Sequence, residues 1–152
     1  MKKWILCSVI YFSLLFCANI LAAPHASAAI ESCPTQLTQE SVRIVTNAFV
    51  ALHQNNDPSA MEKYFSKDYK LFRNNLPPQT YQQLYQETVE RKDKSIRILA
   101  LPFKDVVACG NKVVLRYDFV VDMGNGQTSK GKAIALFEIE DGTIKRTWGL
   151  DM

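Results

Sequence analysis

Histidine is nearly absent from this chain. It has two, and only His53 lies beyond residue 28. No Cys-x-x-Cys pair occurs. Transition-metal sites need several nitrogen or sulfur ligands brought together, so neither a metal nor a metal-bearing cofactor is expected. Ser-His-Asp and Cys-His schemes would both depend on that single ring. Basic runs are missing as well. The formal charge of +3 falls to +1 once Lys2 and Lys3 are set aside, and no cluster of Lys or Arg remains to attract nucleic acid or an anionic membrane. There is no internal repeat. Gly124-Asn125-Gly126 is a hairpin turn rather than a phosphate loop, because strand residues follow it instead of a helix.

What is present begins with a leader. Lys2 and Lys3 precede an uncharged apolar run from Trp4 to Ala18, and Ala26-Ser27-Ala28 supplies small residues for a peptidase site. The run is shorter than the roughly 20 residues that span a bilayer. Residues 1–28 are therefore expected to be a secretory signal peptide, and residues 29–152 one exported domain, periplasmic or secreted, with no stable membrane anchor after cleavage. Of the four cysteines, Cys33 and Cys109 remain in that domain. In an oxidising compartment they are expected to pair across a separation of 76 residues.

Hydrophobic spacing then divides the chain into helices followed by strands. Val42, Val45, Phe49 and Leu52 recur at three- and four-residue intervals, which predicts an amphipathic helix over 38–54 with Thr38 as its cap. Asp57-Pro58 opens a short second helix. Ser66-Lys67-Asp68 reads as a turn, Tyr69 to Phe72 as an extended piece, and Pro77-Pro78 as the start of a third helix ending near Lys92. From Ser95 onward the pattern is sheet. Val113 to Val121 alternates along a long strand, Lys132 to Ile139 is the next, and Asp141-Gly142 is a tight hairpin signal before the last, Thr143 to Leu150. The expectation is an α+β fold with three helices packed on one face of a curved antiparallel sheet of four or more strands.

This order, together with the segment Asp57-Pro58-Ser59-Ala60-Met61-Glu62-Lys63-Tyr64-Phe65 and the ending Ile139-Glu140-Asp141-Gly142-Thr143-Ile144-Lys145-Arg146-Thr147-Trp148, resembles the nuclear transport factor 2-like superfamily. Within it, the SnoaL-like polyketide cyclase and ketosteroid-isomerase relatives are the nearest in pattern. The resemblance implies a cone-shaped barrel with a pocket at its open end and, in many relatives, a homodimer through the outer sheet face. It also spans cyclases, isomerases and proteins with no catalysis, so fold does not decide activity.

The resemblance places an acid at the pocket mouth, where Asp151 follows Trp148-Gly149-Leu150. A carboxylate in an apolar cavity can remove a proton beside a carbonyl, which makes Asp151 the candidate catalytic base. Arg116 and Asp118 share one strand face, opposite the core set Val113, Leu115, Tyr117, Phe119 and Val121. Arg116 either binds an anionic or carbonyl group or forms a surface pair. Tyr64, Tyr69, Tyr81, Tyr85 and Trp148 are candidates to line an apolar pocket. His53, beside Asn55 and Asn56, reads as a surface or capping residue.

The leading expectation is a small-molecule-binding domain for an apolar or carbonyl-bearing ligand. The alternatives are a cyclase- or isomerase-type enzyme using Asp151 as general base, with Tyr64 or Arg116 polarising the substrate oxygen, and a non-catalytic module that docks a partner or dimerises through its sheet.

Overall fold

A computed structural model describes residues 33–74 and 76–152. The leader expected over residues 1–28 lies outside the described residues. Among those residues the elements run α1 (Thr35–Phe49), a π turn (Val50–Gln54), α2 (Ser59–Tyr64), β1 (Phe65–Arg73), β2 (Gln79–Thr80), α3 (Tyr81–Asp93), β3 (Arg97–Ala100), β4 (Phe103–Cys109), β5 (Lys112–Asp122), β6 (Thr128–Glu140) and β7 (Thr143–Asp151). No helix among them is long and apolar enough to cross a membrane.

The apolar stripe of α1 is buried as its spacing predicts, with Val45 and Ala48 fully enclosed. The helix starts a turn earlier than expected. The Pro34 carbonyl accepts from the Thr38 amide (3.0 Å) and hydroxyl (2.8 Å), and that hydroxyl accepts the Gly110 amide at 2.9 Å. Thr38 therefore fastens α1 to the β4–β5 turn instead of capping a helix. Cys33 and Cys109 are joined as a disulfide at the same end, their Cα atoms 5.0 Å apart.

After Phe49 the helix widens. Asn55 donates its amide to the Val50 carbonyl at 3.2 Å, an i to i−5 bond. Asp57 accepts the Ser59 amide (3.0 Å) and hydroxyl (2.7 Å), which starts α2 where Asp57-Pro58 predicts. A capping box between Thr80 and Gln83 opens α3.

The seven strands form one curled sheet in the order β2-β1-β7-β6-β5-β3, with β4 pairing the first half of β5 and β3 its second half. The sheet is mixed, not antiparallel throughout: β1 runs parallel to β7. Ser66-Lys67-Asp68 belongs to β1 rather than to a turn, passing through an irregularity between Phe65 and Lys70. The Lys145 ammonium lies 2.8 Å from Asp68 there, an exposed ion pair between β7 and β1. At the β6–β7 turn Asp141 (φ 49°) and Gly142 (φ 74°) both adopt left-handed backbone, as a type I′ hairpin requires.

Strand registers align side chains into rows across the sheet. On the concave face Val113, Phe137, Thr147 and Leu71 form one row, Leu115, Ala135, Gly149 and Arg73 the next, and Tyr117, Ala133 and Asp151 the one nearest the mouth. The helices cover this face, and a single core runs from Val45 and Leu52 to Leu115, Phe137 and Ile144. At the far end Phe119 lays its ring over Gly131: a Cβ there would lie 2.2 Å from Cζ, so a side chain at this position would have to push the ring aside.

Candidate functional site

Row composition creates a hollow. Leu115 and Arg73 flank Ala135 and Gly149, two small residues side by side in one row of the concave face. A Cβ added at Gly149 would meet nothing within 4 Å. The space left beneath the π turn is a cavity of about 60 Å³, walled by Phe49, Leu52, Phe65, Leu71, Leu84 and Phe137. Its polar lining is His53, Tyr69, Arg73, Tyr117, Thr147 and Asp151.

The π turn brings His53 inward, edge-on to Phe49 with ring centroids 4.4 Å apart. Behind it, Arg91 Nη1 lies 3.3 Å from His53 Nδ1 and Nη2 donates to the Thr88 hydroxyl at 3.2 Å. A guanidinium only donates, so Nδ1 accepts and the ring proton sits on Nε2. Burial, followed by the charges of Arg91 and Arg73, lowers the His53 pKa to about 3. The ring is therefore neutral at physiological pH. Burial likewise lowers Arg91, with nearby Glu87 opposing.

Burial keeps both phenols protonated. Tyr117 is pushed up to about 12, the charge of Asp151 adding to the effect. Tyr69 is raised further by burial, offset in part by the Thr147 hydroxyl beside it. That contact lacks good hydrogen-bond geometry, because Thr147 Oγ1 is buried with no partner among the described residues. Arg73 makes no ion pair within 4.0 Å among the described residues, while its charge reaches His53, Tyr69, Arg91 and Tyr117.

Of the residues expected from sequence, the fold brings Tyr69 and Asp151 together at this cavity. The others lie elsewhere. Arg116 is on the outer sheet face, bonded to Asp105, and Asp118 faces Lys104 at 3.4 Å, so these charges are surface pairs and not ligand contacts. Trp148 is also outside, stacked on Phe72 with centroids 5.5 Å apart. Tyr85 is exposed on α3, and Tyr64 sits under the Lys63 ammonium at the end of α2. Tyr81 is buried, its hydroxyl accepting from Lys67 at 3.0 Å.

Sequence reasoning missed His53, Arg73 and Tyr117. Period two would have found the last two: Leu71 and Arg73 share a face, as do Leu115 and Tyr117. His53 lies four residues after Phe49, on the buried stripe. Among the described residues no group of three or more His, Cys, Asp or Glu side chains converges.

A larger, open depression of about 490 Å³ lies at the far end of β5 and β6, beside Phe119, Lys130 and Met152. Its charged groups are solvated, and Asp118 is already paired. The smaller cavity is the better site because six polar side chains converge on it, Tyr69 and Thr147 among them buried.

Residues 46–147 match the family model described as SnoaL-like domain. Among solved structures, a LEH-like epoxide hydrolase from M. tuberculosis superposes with a TM-score of 0.66 at 16% identity, covering 76% of this chain and 84% of that one. A protein from Jannaschia sp. CCS1, described as a SnoaL-like polyketide cyclase, gives 0.63 at 12% identity over 80% and 90%. An NTF2-like protein from Burkholderia xenovorans LB400 gives 0.61 at 15% identity over 76% and 91%. No curated protein matches the sequence.

Proposed function

This chain belongs to the SnoaL-like domain family, and we propose that it is an exported small-molecule-binding domain whose ligand occupies the cavity beneath the π turn. One observation carries the reading. Arg73, His53, Tyr69 and Tyr117 turn polar groups toward a hollow that Gly149 keeps open, beside a Thr147 hydroxyl with no partner. A buried polar group is ordinarily satisfied, so the Thr147 hydroxyl left unmatched beside these convergent polar side chains points to a ligand in the hollow. Export rests on Lys2, Lys3, the apolar run and Ala26-Ser27-Ala28.

Gly149→Val tests the ligand site directly, because it fills the hollow without a clash. Ligands that raise the melting temperature of the parent protein are expected to lose that effect in the variant. Equal stabilisation of both proteins would put the ligand elsewhere.

A second reading is supported by the pairing of Asp151 with Tyr117 through Ala133. The carboxylate could take a proton beside a carbonyl while the protonated phenol donates to the developing oxyanion. Solved relatives named as a cyclase and a hydrolase keep this reading in play. Enolisation of a small ketone followed by deuterium exchange, lost in Asp151→Asn, is its test.

The outer face supports a homodimer. Val107, Val114, Leu136, Trp148 and Phe72 make an apolar row five strands wide, with Val107 65% and Trp148 38% exposed.

A further inference from the structure

Resting on the cavity as a ligand site, we propose that its ligand is a short-chain carboxylate anion, seated on Arg73 with Tyr117, Tyr69 and His53 as further donors. Three features of the hollow lead there.

The first is size. The cavity holds about 60 Å³. A water-sized atom needs about 10–15 Å³ on this measure, so the space admits about four to six non-hydrogen atoms. That is a carboxylate with one to three carbons behind it. Longer chains would have to emerge at the mouth beside Asp151.

The second is the balance of donors and acceptors. Arg73 offers only donors. Arg91 occupies His53 Nδ1 and leaves the Nε2 proton as the ring's remaining hydrogen-bonding group. Both tyrosines keep their protons, and the buried Thr147 hydroxyl awaits a partner. An acceptor-only group with two oxygens answers this set, whereas one ketone oxygen would leave most of it unmatched.

The third is charge. Arg73 lies one row further in than Asp151 and has no ion-pair partner among the described residues. Two carboxylates are near. Glu87 accepts from Gln79 Nε2 at 2.8 Å, and Asp151 is exposed at the rim. Arg73 lines the cavity without an ion pair, Glu87 is engaged by Gln79 and Asp151 is exposed, so the charge of Arg73 is left for a negative head group. Phe49, Leu52 and Phe137 give the opposite wall no polar atom. That wall suits a methyl or ethyl group and leaves the outer oxygens of sulfate or phosphate unsolvated.

The test is calorimetric titration of the full chain with acetate, propionate and butyrate against propionamide, butanone and sulfate. Propionate is expected to bind saturably, and propionamide and sulfate at least about tenfold more weakly, as loss of a charge-assisted contact implies. Arg73→Lys keeps the charge but not the fork and should weaken propionate about tenfold; Arg73→Met should abolish it. Circular dichroism on each variant establishes that it is folded. Butanone or propionamide binding as tightly as propionate, unaffected by Arg73→Met yet lost in Gly149→Val, would overturn the carboxylate assignment and leave the ligand site standing. Sulfate matching propionate would reduce the site to a general anion trap and also overturn it. Heats that Gly149→Val leaves unchanged, or none from any compound, would remove both.

Discussion

Arg91 Nη1 stands 3.3 Å from His53 Nδ1, so a permanent cation fixes the tautomer of the one histidine in the described fold. Arg91 and Arg73 are the charges acting on the ring, and Phe49 and Tyr117 line the same space. Both cations oppose protonation, in the same direction as burial.

The consequence is a stability that depends on pH. The folded ring refuses a proton until about pH 3, while the unfolded chain takes it near 6.5. For a base lowered in this way, the unfolded state binds the extra proton as pH falls. His53's contribution is complete above pH 6.5 and is lost progressively below it, reaching about 2 kcal/mol by pH 5. Denaturant melts at pH 7 and pH 5 should show this loss, and His53→Gln should remove that part of the slope. An unchanged slope in the variant would mean the ring is solvated.

The bridge between Cys33 and Cys109 closes a loop of 76 residues. Loop closure of this length stabilises by roughly 4 kcal/mol on the chain-entropy estimate. Reduction, or the double serine variant, should lower the melting temperature by well over 10 °C for a domain of this size. Alkylation of the native protein without reductant should modify neither thiol; modification of both would contradict the bridge.

Much of the fold was legible because its core elements obey simple periods. The stripe of Val45, Phe49 and Leu52 packs as expected, and the alternation through Val113 and Leu115 and through Ala133 to Ile139 separates a buried from a partly exposed face. The parallel pairing of β1 with β7 was not legible, because alternation tells which face a strand buries but not which strand lies beside it. Ser66-Lys67-Asp68 has turn composition, yet it lies in β1, between Phe65 and Tyr69, which are both buried in the core.

The site was read only in part for a similar reason. Asp151 is what the family resemblance implies for the pocket mouth, and Tyr69 is one of five aromatic candidates; the cavity lining includes both. Period two sets Arg116 with Asp118 opposite Tyr117 and leaves ligand contact and surface pair both open; the contact with Asp105 on the outer face favours the surface pair. His53 sits four residues after Phe49, on the stripe that the helix buries, yet a polar ring beside Asn55-Asn56 at a helix end reads as a cap.

A side chain at Gly131 should be accommodated only by moving the Phe119 ring. A Cβ would lie 2.2 Å from Phe119 Cζ and 2.7 Å from Cε2, so Gly131→Ala must displace the ring. The ring is half-exposed beside an open depression and can swing outward, so we expect a loss of about 1 kcal/mol. Phe119→Leu in the same chain should recover part of it. Additive losses would show that the ring and the glycine do not touch.

Asp151 is exposed, so Asp151→Asn should change stability by less than about 0.5 kcal/mol. Removing the rim anion should also tighten propionate binding. Weaker binding would place the carboxylate among the ligand's own contacts.

On the outer face, Trp148→Glu introduces a charge into the apolar row. Light scattering should show a dimer for the parent protein and a monomer for the variant. A monomeric parent at high concentration would remove the homodimer.

The central claim is that the hollow beneath the π turn is a binding site, and amide chemical-shift mapping tests it most directly. Titration with propionate should move resonances of Leu71 to Arg73, Ala133 to Ala135 and Thr147 to Asp151, and Gly149→Val should abolish every shift. Shifts confined to Arg116, Leu136 and Trp148, or surviving intact in the filled variant, would contradict it.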